Sequence, residues 1–426
     1  MNAVCCPSQL DGTVQAIPSK SDVHRKLICA AISENGGFLP IKEPYCDDIA
    51  ATVRCLSALG ASFDQNADGL FIRPIKRQPR ALLDCGESGS TLRFLLPVAM
   101  CMCSSIHVTG AGRLPERPIG TLTDAMSAHG VQFQQKSLPL DATGNLTGGL
   151  YEIAGNISSQ FLSGLLMALP MCDSDSEIRL TTPLQSAAYV DMTLDTLRQF
   201  GAEITLYKED GLLRYLIKGK QKLYFPDDIR IDGDWSNAAF WLTAGAIQPT
   251  GNVAVTGLYT DSIQGDKAIA DILSQNGARI TESDGIRNVS CETINDFDVS
   301  MAEIPDLLPI LAVRAAVGNG VSHFTNAERL RLKESDRLTA TAELLRALGG
   351  KTDELPDGLT VYGGQLRGGT VNAQNDHRLV MAAAIAALRC SEPVTILGAE
   401  AVNKSYPTFF EDYRALGGRV TFSDEI

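Results

Sequence analysis

Apolar and polar positions follow one pattern that recurs six times along the chain. In each copy an apolar, helix-like run ends at a glycine, and a small or apolar residue and a strand-like pair follow. These glycines lie 70, 71, 76, 72 and 68 residues apart; they are Gly60, Gly130, Gly201, Gly277, Gly349 and Gly417. Glycine is the expected helix stop because it takes the left-handed backbone conformation without steric cost. So regular a period predicts an internally repeated fold.

Each repeat is predicted to hold two helices and several short strands. The farther helix starts precede the glycines by about 40 residues; they are Lys20, Ser90, Ser158, Ser236, Asp306 and His377. The nearer starts precede them by about 12 residues; they are Asp48, Arg117, Tyr189, Asp266, Arg337 and Lys404. Alternating segments such as 69–73 and 358–362 predict strands. Helices 161–169 and 380–388 are apolar nearly all round, which predicts that helices are buried and sheets pack outside them.

Six repeats divide naturally into two domains of three. We expect one domain at 19–224 and the other at 1–18 together with 225–426. The leading segment 5–18 has no helix of its own and is predicted to pair with the second half. The fold class predicted from this organisation is α/β (α+β).

The composition of the chain excludes several classes of function. Lys and Arg number 37 against 50 Asp and Glu, a net charge of −13, which argues against nucleic acid as a partner. No basic region followed by an apolar run opens the sequence, and no apolar stretch approaches the ~18 residues of a membrane span. The 11 cysteines are an odd number, so free thiols in the cytoplasm are expected. Cys101 and Cys103 have the wrong spacing for a metal or redox pair, and no metal site is predicted.

Basic side chains are concentrated at the predicted helix starts. A helix N-terminus offers unpaired N–H groups and a positive dipole end, so an adjacent Lys or Arg creates an anion site. Taken singly, each polar helix start is most often only an N-cap. The joint pattern predicts a small, highly charged substrate; it consists of the bases Lys20, Arg25, Arg117, Lys333, Arg337 and Arg378 and the carboxylates Asp306 and Glu334. A dinucleotide loop at Gly110 to Gly112 is rejected because Pro115 stands where a third glycine belongs.

Over nearly its whole length the chain resembles the EPSP synthase (3-phosphoshikimate 1-carboxyvinyltransferase) family. The motifs that carry the resemblance are, in order, 18–21 with Arg25, 89–93, 116–120, 158–161, 304–306, 331–338, 375–378 and Lys404. The resemblance implies two domains of three βαβαββ units each, in an inverse α/β barrel-like fold, with the active site in the interdomain cleft. It also implies a monomer that uses no cofactor.

The resemblance further implies transfer of the enolpyruvyl group of phosphoenolpyruvate to the 5-hydroxyl of shikimate 3-phosphate, with release of phosphate. The residues implied to bind phosphoenolpyruvate are Lys20, Gly89, Arg117, Gln160, Arg337, Arg378 and Lys404. Those implied to bind shikimate 3-phosphate are Lys20, Ser21, Arg25, Ser158, Ser159, Gln160, Ser186, Tyr189, Asp306 and Lys333. For proton transfer the candidates are Asp306 as base for the hydroxyl and Glu334 and Lys20 at the methylene and the leaving phosphate.

Some residues depart from the pattern of the family. Arg329 stands where many members have Asn, and Phe94 stands where many have Pro, so their roles stay open. One alternative is UDP-N-acetylglucosamine 1-carboxyvinyltransferase, which has Lys-Asn at the place of Lys20 and Ser21 and usually a Cys in the loop that is 110–116 here. The other alternative is a non-catalytic anion-binding module on the same fold.

Overall fold

The computed structural model describes residues 1–283 and 285–423 and contains two helices in each predicted repeat. The helices are α1 (Lys20–Ile32), α2 (Asp47–Ala58), α3 (Gly89–Met102), α4 (Gly120–Ser127), α5 (Ser159–Ala168), α6 (Ala187–Gln199), α7 (Trp235–Ile247), α8 (Ala268–Gln275), α9 (Leu308–Ala316), α10 (Arg337–Ala347), α11 (His377–Ala386) and α12 (Phe409–Ala415). Within the described ranges no helix has the length and apolar character needed to cross a membrane.

Short strands separate the helices. The first half of the chain contributes β1 (Asn2–Cys6), β2 (Gly12–Gln15), β3 (Gly37–Leu39), β4 (Ser62–Gln65), β5 (Leu70–Arg73), β6 (Arg80–Asp84), β7 (Ser105–Thr109), β8 (Val131–Phe133), β9 (Leu140–Gly144), β10 (Leu150–Ile153), β11 (Ser176–Leu180), β12 (Ile204–Glu209) and β13 (Leu212–Ile217). The second half contributes β14 (Val253–Thr256), β15 (Ala278–Ser283), β16 (Ile286–Cys291), β17 (Asp298–Ser300), β18 (Val321–Thr325), β19 (Lys351–Leu355), β20 (Gly358–Tyr362), β21 (Gly369–Asn372), β22 (Val394–Leu397) and β23 (Arg419–Ser423).

The strands form one small sheet for each repeat. In the second repeat β6 pairs parallel with β7, β7 pairs antiparallel with β9, and β9 pairs antiparallel with β8. The order β6-β7-β9-β8 returns as β10-β11-β13-β12 and as β17-β18-β20-β19. Each of these repeats therefore reads β-α-β-α-β-β along the chain. Across the described residues the sheets are open, so the predicted α/β fold is confirmed, but as separate sheets rather than a closed barrel.

The N-terminal segment supplies strands to two repeats near the other end of the chain. β1 inserts between β22 and β23 and is antiparallel to both. β2 pairs parallel with β14 and provides the first strand of the fourth repeat. Without these two strands, the fourth repeat would lack its first strand and the sixth repeat would lack one of its last two strands.

The chain folds into two compact units, each with its own hydrophobic core. One unit is Pro18–Ile231, and the other joins Met1–Ile17 to the chain from Asp232 onward. In the first unit α3 and α5 are buried along almost all of their length. In the second unit the same holds for α7, α9 and α11. The first helices of these repeats thus lie inside and are covered by strands with one buried face, as their all-round apolar character predicts.

The six glycines predicted to stop helices all have a positive φ. Their φ values are 105°, 89°, 86°, 99°, 87° and 101° for Gly60, Gly130, Gly201, Gly277, Gly349 and Gly417. Residues with a Cβ rarely adopt this region, so each glycine ends its helix and turns the chain into the next strand. The repeat predicted from the sequence is confirmed at this level.

Two predicted helix starts are wrong. Arg117 has an extended backbone (φ −75°, ψ 133°), and α4 begins only at Gly120. Lys404 ends a short 3-10 segment, and α12 begins at Phe409. Pro118 follows Arg117 directly, and the residue before a proline is pushed out of the helical region. Both basic side chains lie ahead of the second helix of their repeat, Arg117 on extended backbone and Lys404 at the end of the 3-10 segment.

Helix α5 packs against α3 so closely that only glycine fits at position 164. A Cβ there would collide with the backbone carbonyl of Arg93, which cannot move as a side chain can. At Gly120, by contrast, a Cβ would meet nothing within 4 Å. We expect Gly164→Ala to lower the free energy of unfolding by about 2–3 kcal/mol. Gly120→Ala, the control, is expected to change it by less than about 1 kcal/mol, because alanine favours the helix.

Thermal unfolding followed by circular dichroism measures both variants. Equal stability of the two would contradict the tight packing of α5 on α3.

Candidate active site

Lys20, the first residue of α1, lies against a carboxylate of the next helix. Its Nζ is 2.6 Å from Oδ2 of Asp48, and both side chains are largely but not fully buried. The pair joins the two helix starts of the first repeat. Lys20 is therefore held in place by a charge that an arriving anion can compete with.

Arg25 is fully enclosed one turn further along α1. Its Nη1 donates to the carbonyl of Ser21 at 2.6 Å, and its Nη2 donates to the carbonyl of Tyr189 at 2.6 Å. Nε donates to Oγ1 of Thr193 at 2.8 Å. Burial lowers the pKa of Arg25 to about 10, so the guanidinium stays charged at neutral pH. Arg25 thus ties together the backbone segments that carry Ser21 and Tyr189.

The start of α3 brings two guanidinium groups against a glycine. A Cβ at Gly89 would be 2.7 Å from Nη1 of Arg117 and 2.8 Å from Nη1 of Arg93. Arg93 donates from Nη1 to Oε1 of Gln160 at 2.7 Å, and Nε2 of Gln160 donates to Oγ of Ser90 at 2.9 Å. The absence of a side chain at Gly89 lets positive charge gather at a helix N-terminus, which is the arrangement that binds phosphate.

Three serines predicted as contacts lie at the starts of α5 and α6. Ser158 caps α5 and accepts a hydrogen bond from the N–H of Gln160, and Ser159 is the first residue of that helix. Ser186 precedes α6 with φ 55° and ψ 47° and is buried. A left-handed conformation is uncommon outside glycine and often occurs where a side chain must be aimed at a ligand. Tyr189 is half-buried in the first turn of α6.

In the other unit, Arg337 is the centre of a buried ionic cluster. Its Nε lies 2.9 Å from Oδ2 of Asp376, and its Nη1 lies 2.7 Å from Oδ1 of Asp306. Its Nη2 donates to Glu334 and to Oδ1 of Asp376. The side chain of Arg337 is only 1% exposed, and that of Asp376 is 0% exposed. The planar guanidinium with its five donors is suited to hold three carboxylates at once, which an ammonium group could not do.

Asp306 receives positive charge from three sides. Besides Arg337, Nη2 of Arg378 lies 3.2 Å from its Oδ2, and Nζ of Lys333 lies 3.5 Å from its Oδ1. Burial alone would raise the pKa of Asp306, but Arg378, Lys333 and Arg337 outweigh it and hold that pKa well below its usual value. Asp306 is therefore ionised in this ligand-free arrangement.

Asp376 and Lys404 shape the start of α11. Asp376 caps this helix by accepting from the N–H of Arg378 at 3.0 Å, and it also accepts from Oγ of Ser335 at 3.0 Å. Nζ of Lys404 donates to the carbonyl of Asn375 at 2.6 Å, and Asn375 has a φ of 57°. The side chain of Lys404 thus contacts the short segment that carries Arg378, while the guanidinium of Arg378 extends to Asp306.

The structure brings the predicted residues together in two groups, one in each unit. The first unit holds Lys20, Ser21, Arg25, Gly89, Arg117, Ser158, Ser159, Gln160, Ser186 and Tyr189. The second holds Asp306, Lys333, Glu334, Arg337, Arg378 and Lys404. Arg329, whose role the sequence leaves open, donates from Nη2 to the carbonyl of Ala302 at 3.0 Å. In the described parts of the chain, no group of three or more His, Cys, Asp or Glu has the arrangement of a metal site.

Sequence reasoning missed three residues that these groups require. Asp48, Arg93 and Asp376 hold Lys20, Gln160 and Arg337 respectively. Arg93 and Asp376 stand inside the motifs that carry the family resemblance, and Asp48 is a predicted helix start. The sequence therefore indicated where these three residues lie, but not which side chains they contact.

The ionic cluster around Arg337 is expected to stabilise the folded protein. Arg337→Met leaves Asp306 and Asp376 without their buried partner, and we expect a loss of about 3–5 kcal/mol at pH 7. Because the pKa of Asp306 is held well below its ordinary value, its pairing stabilises the fold fully above about pH 4, and the loss should begin to shrink as pH falls below that value. The control is Arg367→Met, which breaks an exposed pair with Glu392 and should cost less than about 1 kcal/mol.

Tryptophan fluorescence during urea unfolding measures this loss. Both tryptophans of the chain, Trp235 and Trp241, lie in α7 and so report on the unit that holds Arg337. A loss that does not change between pH 7 and pH 3 would contradict the ionic origin of the effect.

The comparisons with known proteins agree on one family. Residues 4–413 match the model of EPSP synthase (3-phosphoshikimate 1-carboxyvinyltransferase). The 3-phosphoshikimate 1-carboxyvinyltransferase of Clostridium novyi (strain NT) is 40% identical, with 98% of each chain covered. That of Clostridium acetobutylicum is 42% identical, with 98% of this chain and 96% of the relative covered.

Solved structures also resemble this one. The EPSP synthase of Acinetobacter baumannii has a TM-score of 0.80 at 25% identity and covers 99% of this chain and 100% of its own. The enolpyruvyl transferase NikO of Streptomyces tendae has a TM-score of 0.77 at 18% identity, with 99% and 98% covered, and supports the fold alone. With the family model spanning nearly the whole length and relatives this similar, the chain belongs to the EPSP synthase family.

Proposed function

We propose that this chain transfers the enolpyruvyl group of phosphoenolpyruvate to the 5-hydroxyl of shikimate 3-phosphate. The products are 5-enolpyruvylshikimate 3-phosphate and phosphate, as part of aromatic amino acid biosynthesis. The observation that carries the proposal is the family match over residues 4–413, together with two groups of basic side chains gathered at helix starts. The two alternatives, transfer to UDP-N-acetylglucosamine and anion binding without catalysis, are not favoured by the names of the relatives.

The basic side chains suit a donor that carries a phosphate and a carboxylate on three carbon atoms. We assign phosphoenolpyruvate to Lys20, Gly89, Arg117, Gln160, Arg337, Arg378 and Lys404. Guanidinium groups bind both anionic groups through paired hydrogen bonds, and several cations are needed to offset the charge density. The close approach of Arg117 to Gly89 supports this role, because any side chain at Gly89 would push the guanidinium away.

We assign shikimate 3-phosphate to hydroxyl and basic side chains together with one amide and one carboxylate. They are Lys20, Ser21, Arg25, Ser158, Ser159, Gln160, Ser186, Tyr189, Asp306 and Lys333. Three of the five guanidinium donors of Arg25 are used by Ser21, Tyr189 and Thr193. Its part in binding is to hold the segments of Ser21 and Tyr189 in register, in addition to its positive charge.

The reaction is an addition followed by an elimination. The methylene carbon of the donor gains a proton, the neighbouring carbon is attacked by the 5-hydroxyl oxygen, and the hydroxyl loses its proton. The tetrahedral adduct then loses a proton from its methyl group while the C–O bond to phosphate breaks. These steps need a base for the hydroxyl, and groups that give a proton to the methylene carbon, take one back from the methyl group and assist the leaving phosphate. We assign Asp306 to the first task, and Glu334 and Lys20 to proton transfer at the methylene carbon and the leaving phosphate.

The environment of Asp306 supports a base whose strength depends on bound substrate. With Arg378, Lys333 and Arg337 around it, the low pKa of Asp306 makes it a weak base. When the anionic groups of the substrates take up the charge of these cations, the pKa of Asp306 rises towards its ordinary value. Proton abstraction is thereby favoured only after the substrates have bound.

The activity itself is tested by release of phosphate. We expect phosphate to be released from phosphoenolpyruvate when shikimate 3-phosphate is present and not when UDP-N-acetylglucosamine replaces it. Incubation with each acceptor and detection of free phosphate measure this. Absence of release with shikimate 3-phosphate would overturn the proposal, and release only with the nucleotide sugar would favour the first alternative.

The role of Asp306 has its own test. We expect Asp306→Ala to keep substrate affinity within about tenfold while turnover falls by at least about 100-fold, because the base is removed. Asp271→Asn, which changes an exposed carboxylate on α8, is the matched control and should behave like the unaltered enzyme. Initial rates over both substrate concentrations separate kcat from KM, and intact turnover in Asp306→Ala would remove Asp306 from the base role.

The proposal includes two properties predicted from the sequence. A cytoplasmic location fits an odd number of cysteines, 11, which is typical of thiols in a reducing compartment. A monomer is expected, and sedimentation equilibrium of the purified chain measures that.

A further inference from the structure

Asp266 occupies a place in the fourth repeat that faces the candidate site. In the first repeat the two helix starts pair as Lys20 with Asp48, and in the fifth repeat they pair as Asp306 with Arg337. The equivalent pair in the fourth repeat is Ser236 with Asp266, whose Oγ and Oδ2 are hydrogen-bonded. The first two pairs join a carboxylate to a cation, whereas the fourth repeat joins a carboxyl group to a hydroxyl.

The carboxyl group of Asp266 is almost completely withdrawn from solvent. Its residue is 2% exposed. Its Oδ1 is buried, and no donor within the described residues forms a hydrogen bond to that atom. A buried carboxylate with one unsatisfied oxygen and no cation paired to it is costly, and the neutral acid avoids most of that cost.

Charged groups face Asp266 from every element packed around it. Asp234 lies at the start of α7, beside Ser236; Asp306 lies in the 3-10 turn before α9; Arg378 lies in α11. On its own segment, Nζ of Lys267 is directed to the carbonyl of Thr260. Two of the three charges that act on Asp266 are negative, which further favours its neutral form.

We propose that Asp266 is a positioning residue of this site, a buried carboxylic acid whose neutral form, beside the ionised Asp306, leaves the charge of Arg378 available to an anionic substrate. The acid itself does not touch the reacting atoms. It acts through Arg378, because its ionisation would place a second carboxylate next to that guanidinium. The inference rests on the proposed assignment of Arg378 to phosphoenolpyruvate.

The titration of Asp266 falls in the range where such an effect is measurable. Burial, the largest cause, raises the pKa of Asp266 together with Asp306 and Asp234, while Arg378 and the hydrogen bond to Ser236 lower it, and the result is a pKa of about 7. Asp266 is therefore mostly protonated at pH 6 and mostly ionised at pH 8.5. Ionisation weakens the hold of Arg378 on an anion, so the affinity for phosphoenolpyruvate should fall as pH rises.

The kinetic test compares the unaltered enzyme with Asp266→Asn, which keeps the shape of the neutral acid and cannot ionise. KM for phosphoenolpyruvate is measured at saturating shikimate 3-phosphate between pH 6 and pH 8.5. We expect the ratio of KM in the unaltered enzyme to KM in Asp266→Asn to rise by about three- to tenfold across this range, tenfold being one pKa unit of coupling. The ionisation of the substrate cancels in this ratio. Asp271→Asn removes an exposed carboxylate from the neighbouring helix and should leave the ratio flat.

A spectroscopic measurement tests the protonation state without reference to activity. Infrared difference spectra of the unaltered enzyme between pH 6 and pH 8.5 should contain the C=O stretching band of a protonated carboxylic acid. The band should be absent in Asp266→Asn and present in Asp271→Asn. In Ser236→Ala, which removes the hydrogen bond to Oδ2, the band should persist and shift in frequency. The Ser236→Ala result keeps the test open if Asp266→Asn does not fold.

Several outcomes would overturn the inference. They are the same KM ratio at every pH, no acid band that depends on Asp266, and a folded Asp266→Asn enzyme whose KM at pH 6 is raised more than about tenfold. If the unaltered enzyme releases no phosphate at any pH, the proposed function fails, while the infrared band still decides the protonation of Asp266.

Discussion

The second unit must compensate the positive charge of Arg337, which is buried at the start of α10. An unpaired guanidinium at this depth would be unstable, and three carboxylates, Asp306, Glu334 and Asp376, are placed on it from separate segments. Two of those carboxylates also contact other groups: Asp306 pairs with Arg378 and Lys333, and Asp376 caps α11. The stability of the unit and the charge pattern of its candidate site therefore depend on the same set of contacts.

The repeat explains why such contacts form where they do. In the first, fourth and fifth repeats the starts of the two helices lie side by side, and a pair of side chains meets at this position. The pair is Lys20 with Asp48 in the first repeat, Ser236 with Asp266 in the fourth and Asp306 with Arg337 in the fifth. The three pairs occupy equivalent positions but differ in the charges of their side chains. Variation of the pair changes the local electrostatics without altering the packing of the helices below it. The same position thus carries a lysine paired with an aspartate in one repeat, a serine hydrogen-bonded to an aspartate in another, and an aspartate paired with an arginine in a third.

The sequence predicted the architecture more fully than the chemistry. The six glycine stops and the two helices of each repeat follow from local patterns, because a positive φ and an apolar periodicity are properties of short segments. The start assigned to Arg117 was wrong because the proline directly after it excludes helical backbone there. The start assigned to Lys404 was wrong because a 3-10 segment ends at that residue and α12 begins only at Phe409. The basic residues of the site were visible as a joint pattern. Their partners Asp48, Arg93 and Asp376 were not, since the distance between side chains on different elements depends on tertiary packing that spacing along the chain does not encode.

The two N-terminal strands have a consequence for the order in which the protein can be built. β1 lies between β22 and β23, so β1 must wait for β23 to be synthesised before its sheet is complete. The unit from Pro18 to Ile231 is continuous and can fold as it leaves the ribosome. The other unit depends on strand pairs that are far apart in sequence, and such contacts are slow to form. During synthesis the two edges beside β1 stay unpaired the longest, and they are the part of the nascent chain most in need of protection from aggregation.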